Sequence, residues 1–194
     1  MTKGFTLIEL LVVIAILAVL ATAVVLVLNP AELLKQGRDS TRISDLAALN
    51  SALALYVADG NTTWTATTTC SYIASYGTPH TTDTATTTCS LISSTSVTST
   101  GWVNVNFSSI SSGSPLPRLP LDPNNGSTNC ASTAANTSYC QYVFKASSTT
   151  GVYKLMANME STKYTTSGGG DVESNTKDGG ILSTWYEIGS NLSL

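Results

Sequence analysis

Residues 3–30 read KGFTLIELLVVIAILAVLATAVVLVLNP, and from Phe5 to Leu28 only Thr6, Glu9 and Thr22 are not apolar. A helix over these twenty-four positions would be about 36 Å long, enough to cross a hydrocarbon core of about 30 Å with some tilt. The lone carboxylate is the puzzle, because a charge held deep in lipid costs about 2.5–3.5 kcal/mol. Three readings compete. A secretory signal peptide would use Ala21-Thr22-Ala23 as its cleavage site, but the apolar run continues past that point to Leu28. A plain membrane anchor leaves Glu9 without a purpose. The third reading makes Glu9 a functional group with a partner, the default for an ionisable residue inside a membrane segment.

The third reading coincides with a family pattern. Lys3-Gly4 followed by Phe5-Thr6-Leu7-Ile8-Glu9 and then Leu10-Leu11-Val12-Val13-Ile14 resembles the start of type IV pilins and pseudopilins. The resemblance implies cleavage between Gly4 and Phe5 by a prepilin peptidase on the cytoplasmic face, and N-methylation of the new Phe5 amine. Lys3 then lies on the cytoplasmic side, as the positive-inside bias requires. It also implies a helical homo-oligomer, in which Glu9 of one subunit neutralises the Phe5 amine of another. Such a pair sets register more than it adds stability.

Working outward, Asn29-Pro30 interrupts the helical run, since proline removes a backbone hydrogen bond and crowds the preceding turn; a kink at Pro30 is expected. Pilins often bend near such a residue. From Ala31 to about Ala58, Ile43, Leu46, Leu49, Leu53 and Tyr56 recur at steps of three and four, one buried face of an amphipathic helix. Arg38, Asp39, Arg42 and Asp45 lie on this helix, and the i,i+3 pairs Asp39–Arg42 and Arg42–Asp45 read as solvated charges adding only tenths of a kcal/mol, with bridging between subunits as the alternative. Asp59-Gly60-Asn61 stops the helix.

Residues 61–114 are rich in Thr and Ser and repeat TATTTCS at Thr65–Ser71 and Thr84–Ser90. Strands are expected at Trp102–Phe107, Gln141–Ala146, Val152–Ala157 and Trp185–Ile188, from alternation or short apolar runs. The predicted fold is α+β, a long N-terminal helix packed on a small antiparallel sheet. Its parts are a leader at 1–4, a membrane and filament-core helix at 5–28, a spine helix at 29–58, a connecting lobe at 59–114, and the sheet with its C-terminal loop at 115–194.

The four cysteines, Cys70, Cys89, Cys130 and Cys140, contain no CxxC pair, and His80 is the only histidine, so zinc and c-type haem lack their ligand spacing. An even count behind an export-like N-terminus reads as two disulfides. Three connectivities are possible; Cys70 with Cys89 and Cys130 with Cys140 are favoured as sequence neighbours closing short loops. The competing reading, four separate thiols, fits a reducing compartment. Paired across its two copies, the repeat would form a small exposed lobe.

Leu121-Asp122-Pro123, Tyr142-Val143-Phe144 and Gly151-Val152-Tyr153-Lys154-Leu155 are similar to a turn and two strands of major pseudopilins of type II secretion, which bind calcium in a C-terminal loop. In the comparable stretch Asp171, Glu173 and Asp178 would supply hard oxygen ligands of the kind calcium takes. A solvated Gly-rich turn is the competing reading.

A formal net charge of -3 with nine scattered Lys and Arg offers no phosphate track, so no specific nucleic-acid binding is expected. No nucleophile elbow, P-loop or dinucleotide fingerprint occurs. The expected function is therefore structural: a subunit of a type IV pilus-like filament for adhesion, motility or DNA uptake. It would sit in the inner membrane before an assembly platform builds it into an extracellular fibre. The alternative is a pseudopilin, a periplasmic piston for protein export; an anchored surface enzyme is a remote third.

Overall fold

The structure, a computed structural model, describes residues 4–62, 64, 67–71, 89–127, 130, 140–147 and 151–194. Helix α1 runs over Leu7–Leu28 and helix α2 over Pro30–Ala58, with Asn29 alone between them. Asn29 is left-handed, φ 40° and ψ 76°, a conformation that asparagine tolerates better than most residues. Pro30 then takes the first position of α2, where its missing N–H would have had no intrahelical partner and its fixed φ is already helical. The proline that cannot continue α1 therefore starts α2, and the Asn29 carbonyl accepts from the Glu32 amide at 3.0 Å.

One side of α2 buries Leu46, Leu49, Ala52, Leu53 and Tyr56, while Ile43 is half-buried. The helix ends where expected, with Asp59 as its cap and Gly60 at φ 87°.

Among the described residues five strands follow: β1 Thr67–Cys70, β2 Ser90–Leu91, β3 Tyr142–Ala146, β4 Tyr153–Ala157 and β5 Tyr186–Gly189. They form one sheet in the order β2-β1-β3-β4-β5. All pairs are antiparallel except β1 with β2, which is parallel with Thr69 opposite Ser90. In the sheet centre Phe144 pairs Leu155, and Leu155 pairs Ile188. Alternation along β3 and β4 sends Tyr142, Phe144, Tyr153 and Leu155 into the core with α2, and Val143 and Met156 to the other face with Cys70, Cys89 and Leu182. Trp64 stacks on Tyr56 at 6.0 Å and meets Phe144 and Tyr153 edge-on.

Two expectations need correction. Trp102–Phe107 is not a strand. Its burial does alternate, with Val103, Val105 and Phe107 inside and Asn104 and Asn106 outside. The backbone, however, bonds to its own loop: the Trp102 amide to Ser94 O at 3.0 Å, Phe107 to Val97 O at 2.8 Å, and Val105 to Val103 O at 2.9 Å. A single tight helical turn at Phe107–Ser109 follows. Period two reports which side chains are buried, and a ladder partner is still needed to make a strand.

The described parts of the Thr-rich repeats lie in the sheet and not in an exposed lobe. The first copy supplies β1, the end of the second supplies β2, and Cys70 and Cys89 are buried where the two meet. Residues 72–88, including His80, lie outside the described residues.

Candidate assembly helix and buried ion cluster

None of the span Leu7–Val25 is buried within the chain, and it is long and apolar enough to cross a membrane. Phe5, just ahead of it, is 85% exposed, and Gly4 is exposed too. Thr6 caps α1. Its hydroxyl accepts from the Glu9 amide at 3.3 Å, and Glu9 Oε2 accepts from the Thr6 amide at 2.8 Å and the Thr6 hydroxyl at 2.7 Å. This is a reciprocal capping box, in which two otherwise unpaired helix-end donors are satisfied. Glu9 is therefore not unpartnered in the single chain. Its carboxylate is aimed at the helix N-terminus, four residues from Phe5. The signal was readable in the sequence as Thr-x-x-Glu at Thr6–Glu9.

On α2 the pair Asp39 and Arg42 does not lie in solvent, which overturns the solvated reading for it. Arg42 and Asp39 are fully buried. Arg42 holds Asp122 through Nε–Oδ2 at 2.7 Å and Nη2–Oδ1 at 2.8 Å, Asp39 at 2.7 Å, and Glu160 by a further short contact. Arg38 holds Glu160 from its other side, Nε to Oε1 at 3.0 Å. Asp39 in turn accepts from the backbone amides of Glu160 at 2.9 Å and Ser161 at 2.8 Å. The group thus clamps α2 to the Asp122 turn and to the chain just past β4. Burial would raise the Glu160 carboxyl, but Arg38 and Arg42 hold it below its ordinary value. Burial likewise opposes charge on Arg42, yet Asp122 and Glu160 raise its pKa. Asp45 does not join the cluster; it accepts from the Tyr142 hydroxyl at 2.7 Å, and burial raises its carboxyl.

Disulfides join Cys70 to Cys89 and Cys130 to Cys140, and no cysteine is free. Cys130 Sγ lies 3.2 Å from Arg42 Nη2. Among the described residues, Asp122, Cys130, Cys140 and Glu160 bring ligand-type atoms within 4.8 Å of one another. These do not suit a metal: the sulfurs are bonded to each other, and the guanidinium already neutralises the carboxylates.

The calcium candidates are arranged differently. Asp171 Oδ1 accepts from the amides of Glu173 at 3.0 Å and Ser174 at 3.1 Å. Glu173 is buried and accepts from Met159 at 2.7 Å and Thr166 at 3.2 Å. Asp178 accepts from Gly180 at 2.8 Å and Glu187 at 2.9 Å. Each carboxylate braces its own piece of loop through backbone amides.

Burial pushes the Glu173 carboxyl from 4.5 up to about 8, against the Met159 and Thr166 amides, while Asp39 and Asp171 add like charge. Between these values the folded chain holds a proton that the unfolded chain has released. Stability is therefore full below the unfolded value and falls as pH rises toward the folded one. The full chain in detergent should melt several degrees lower at pH 8.5 than at pH 5.5, and Glu173→Gln should flatten that slope. A slope unchanged in the variant would place the proton elsewhere.

Residues 1–25 match the family model described as the prokaryotic N-terminal methylation motif. That motif is the signature of type IV pilins and pseudopilins, filament-forming structural subunits that start in the membrane. No curated protein and no solved structure matches the chain.

Proposed function

We propose that this chain is a structural subunit of a type IV pilus-like filament. A prepilin peptidase cuts it between Gly4 and Phe5, the Phe5 amine is methylated, and an assembly platform draws it from the inner membrane into a helical homopolymer. The observation that carries this reading is the methylation motif on a helix whose apolar surface the chain leaves entirely uncovered. In the membrane, lipid covers that surface; in a fibre, the helices of neighbouring copies do. The cut exposes a positive amine, and Glu9 lies close enough in sequence to meet the amine of an adjacent copy.

Mass spectrometry of sheared, purified filaments tests this. Chains should begin at Phe5 and carry a methylated amine. Chains that begin at Met1, or after Ala23, would overturn the reading.

A pseudopilin remains the second reading, favoured by the Leu121-Asp122-Pro123 turn, whose carboxylate anchors the ion cluster. Electron microscopy separates the two. Long surface fibres labelled by antibody to this chain support adhesion, motility or DNA uptake; processed chain confined to the periplasm supports secretion.

A further inference from the structure

On the face of the sheet away from α2, strands β4 and β5 bring together two side chains that neither the assembly helix nor the ion cluster uses. Lys154 and Glu187 are 1% and 0% exposed in their side chains, with Nζ 2.6 Å from Oε1. A buried ion pair of this kind seldom recovers the cost of desolvating both charges. The contact is also unusual in its direction. Oε1 has no aligned hydrogen-bond donor despite the nearby ammonium, while Nζ donates to Leu192 O at 3.3 Å. The other carboxylate oxygen, Oε2, accepts from the Leu182 amide at 2.8 Å. Asp178 holds the Glu187 backbone amide at 2.9 Å. Gly180 lies so close that a Cβ there would fall 1.9 Å from Oε2, so the carboxylate is enclosed by backbone that no larger residue could replace without moving it.

We propose that Lys154 and Glu187 condense into an intramolecular amide, a covalent cross-link between β4 and β5. The step needs no oxidant or co-reactant. In the reacting pair one proton moves from Nζ to Oε1, giving an amine beside an acid. The Nζ lone pair attacks Cδ and the C–N bond forms. Negative charge develops on Oε2, where the Leu182 N–H is already placed as an oxyanion donor. The C–Oε1 bond then breaks, and Oε1 leaves as water with its own proton and one from nitrogen. One ammonium and one carboxylate become one amide and one water. Two buried charges disappear, and the fixed pose of the two groups supplies the proximity that solution chemistry lacks.

The inference is independent of the filament reading, because its readout is the chain's own mass. Chain purified from membranes, then reduced and alkylated, should be lighter by the mass of one water than its sequence from the N-terminus read by mass spectrometry requires. Trypsin should fail to cut after Lys154 and should yield a branched species joining 146–163 to 178–194. Lys154→Arg should restore the full mass. Three results would overturn the proposal: quantitative cleavage after Lys154, water loss confined to a linear 178–194 peptide (a succinimide at Asp178-Gly179), or water loss that persists in Lys154→Arg. The wild-type digest alone decides if the variant does not fold.

Discussion

Replacing Arg42 with methionine is expected to destabilise the chain by about 3–5 kcal/mol, because removing one partner from a buried ion pair leaves the other charges uncompensated. Three carboxylates face this guanidinium, from Asp39, Asp122 and Glu160, and Arg38 reaches only Glu160 among the contacts between them. Methionine nearly matches the arginine stem in length, so lost packing contributes little. For a chain of this size the loss corresponds to a melting point lower by roughly 6–20 °C, measured on the full chain in detergent by circular dichroism. The acid side gives a second readout. Glu160 has its carboxyl lowered in the folded state, so its contribution is present above its unfolded value and is lost as pH falls through the folded one. The wild type should lose stability on acidification, and Arg42→Met should lose much less. A variant melting within about 2 °C of wild type would mean that water, rather than protein, solvates the cluster, since exposed pairs are worth little.

Glu9→Leu is expected to abolish filaments while leaving membrane insertion intact, since it removes the one charge from an apolar span. Leucine also removes the capping box, so this variant alone cannot separate the two roles of Glu9. Glu9→Gln does. Glutamine at this position preserves the reciprocal bonds to Thr6, as capping boxes accept either residue, but it cannot neutralise an amine. Filament yield by shearing and blotting, against total membrane-inserted chain, is the measurement. Both variants should insert like wild type and assemble no fibre. Normal fibres from Glu9→Gln would show that the cap, and not charge pairing with Phe5, is what assembly requires.

Much of the architecture follows from patterns that local chemistry controls. The apolar run marks α1, and the proline marks where α2 starts. Steps of three and four predict burial of Leu46, Leu49, Leu53 and Tyr56. Ile43 stays only half-buried because its neighbour Arg42 turns inward instead, a choice dictated by Asp122 and Glu160, which lie 80 and 118 residues away. No window of sequence contains that information. Strands β3 to β5 are apolar enough to be recognised alone. Strand β1 is Thr-Thr-Thr-Cys, with no hydrophobic period, and exists as a strand because β3 offers it a ladder. Trp102–Phe107 shows the converse, a convincing alternation with no neighbouring strand. At the N-terminus the lone carboxylate was conspicuous, and its cap was spelled out three residues earlier. The Lys154–Glu187 contact was legible only as two charged residues in strand-like runs, since register decides that they meet.

The parallel pairing of β1 with β2 has an architectural corollary. The chain leaves the sheet after Cys70 and re-enters at Cys89, and the two Cα atoms stand 5.8 Å apart. A covalent staple at the root closes the chain between them into a detour with fixed ends. Each doubling of such a detour adds only about 0.6 kcal/mol in closure entropy. The edge where β1 meets β2 is therefore held by a covalent bond as well as by its short ladder, and reduction should loosen that edge before it reaches the β3–β4 pair.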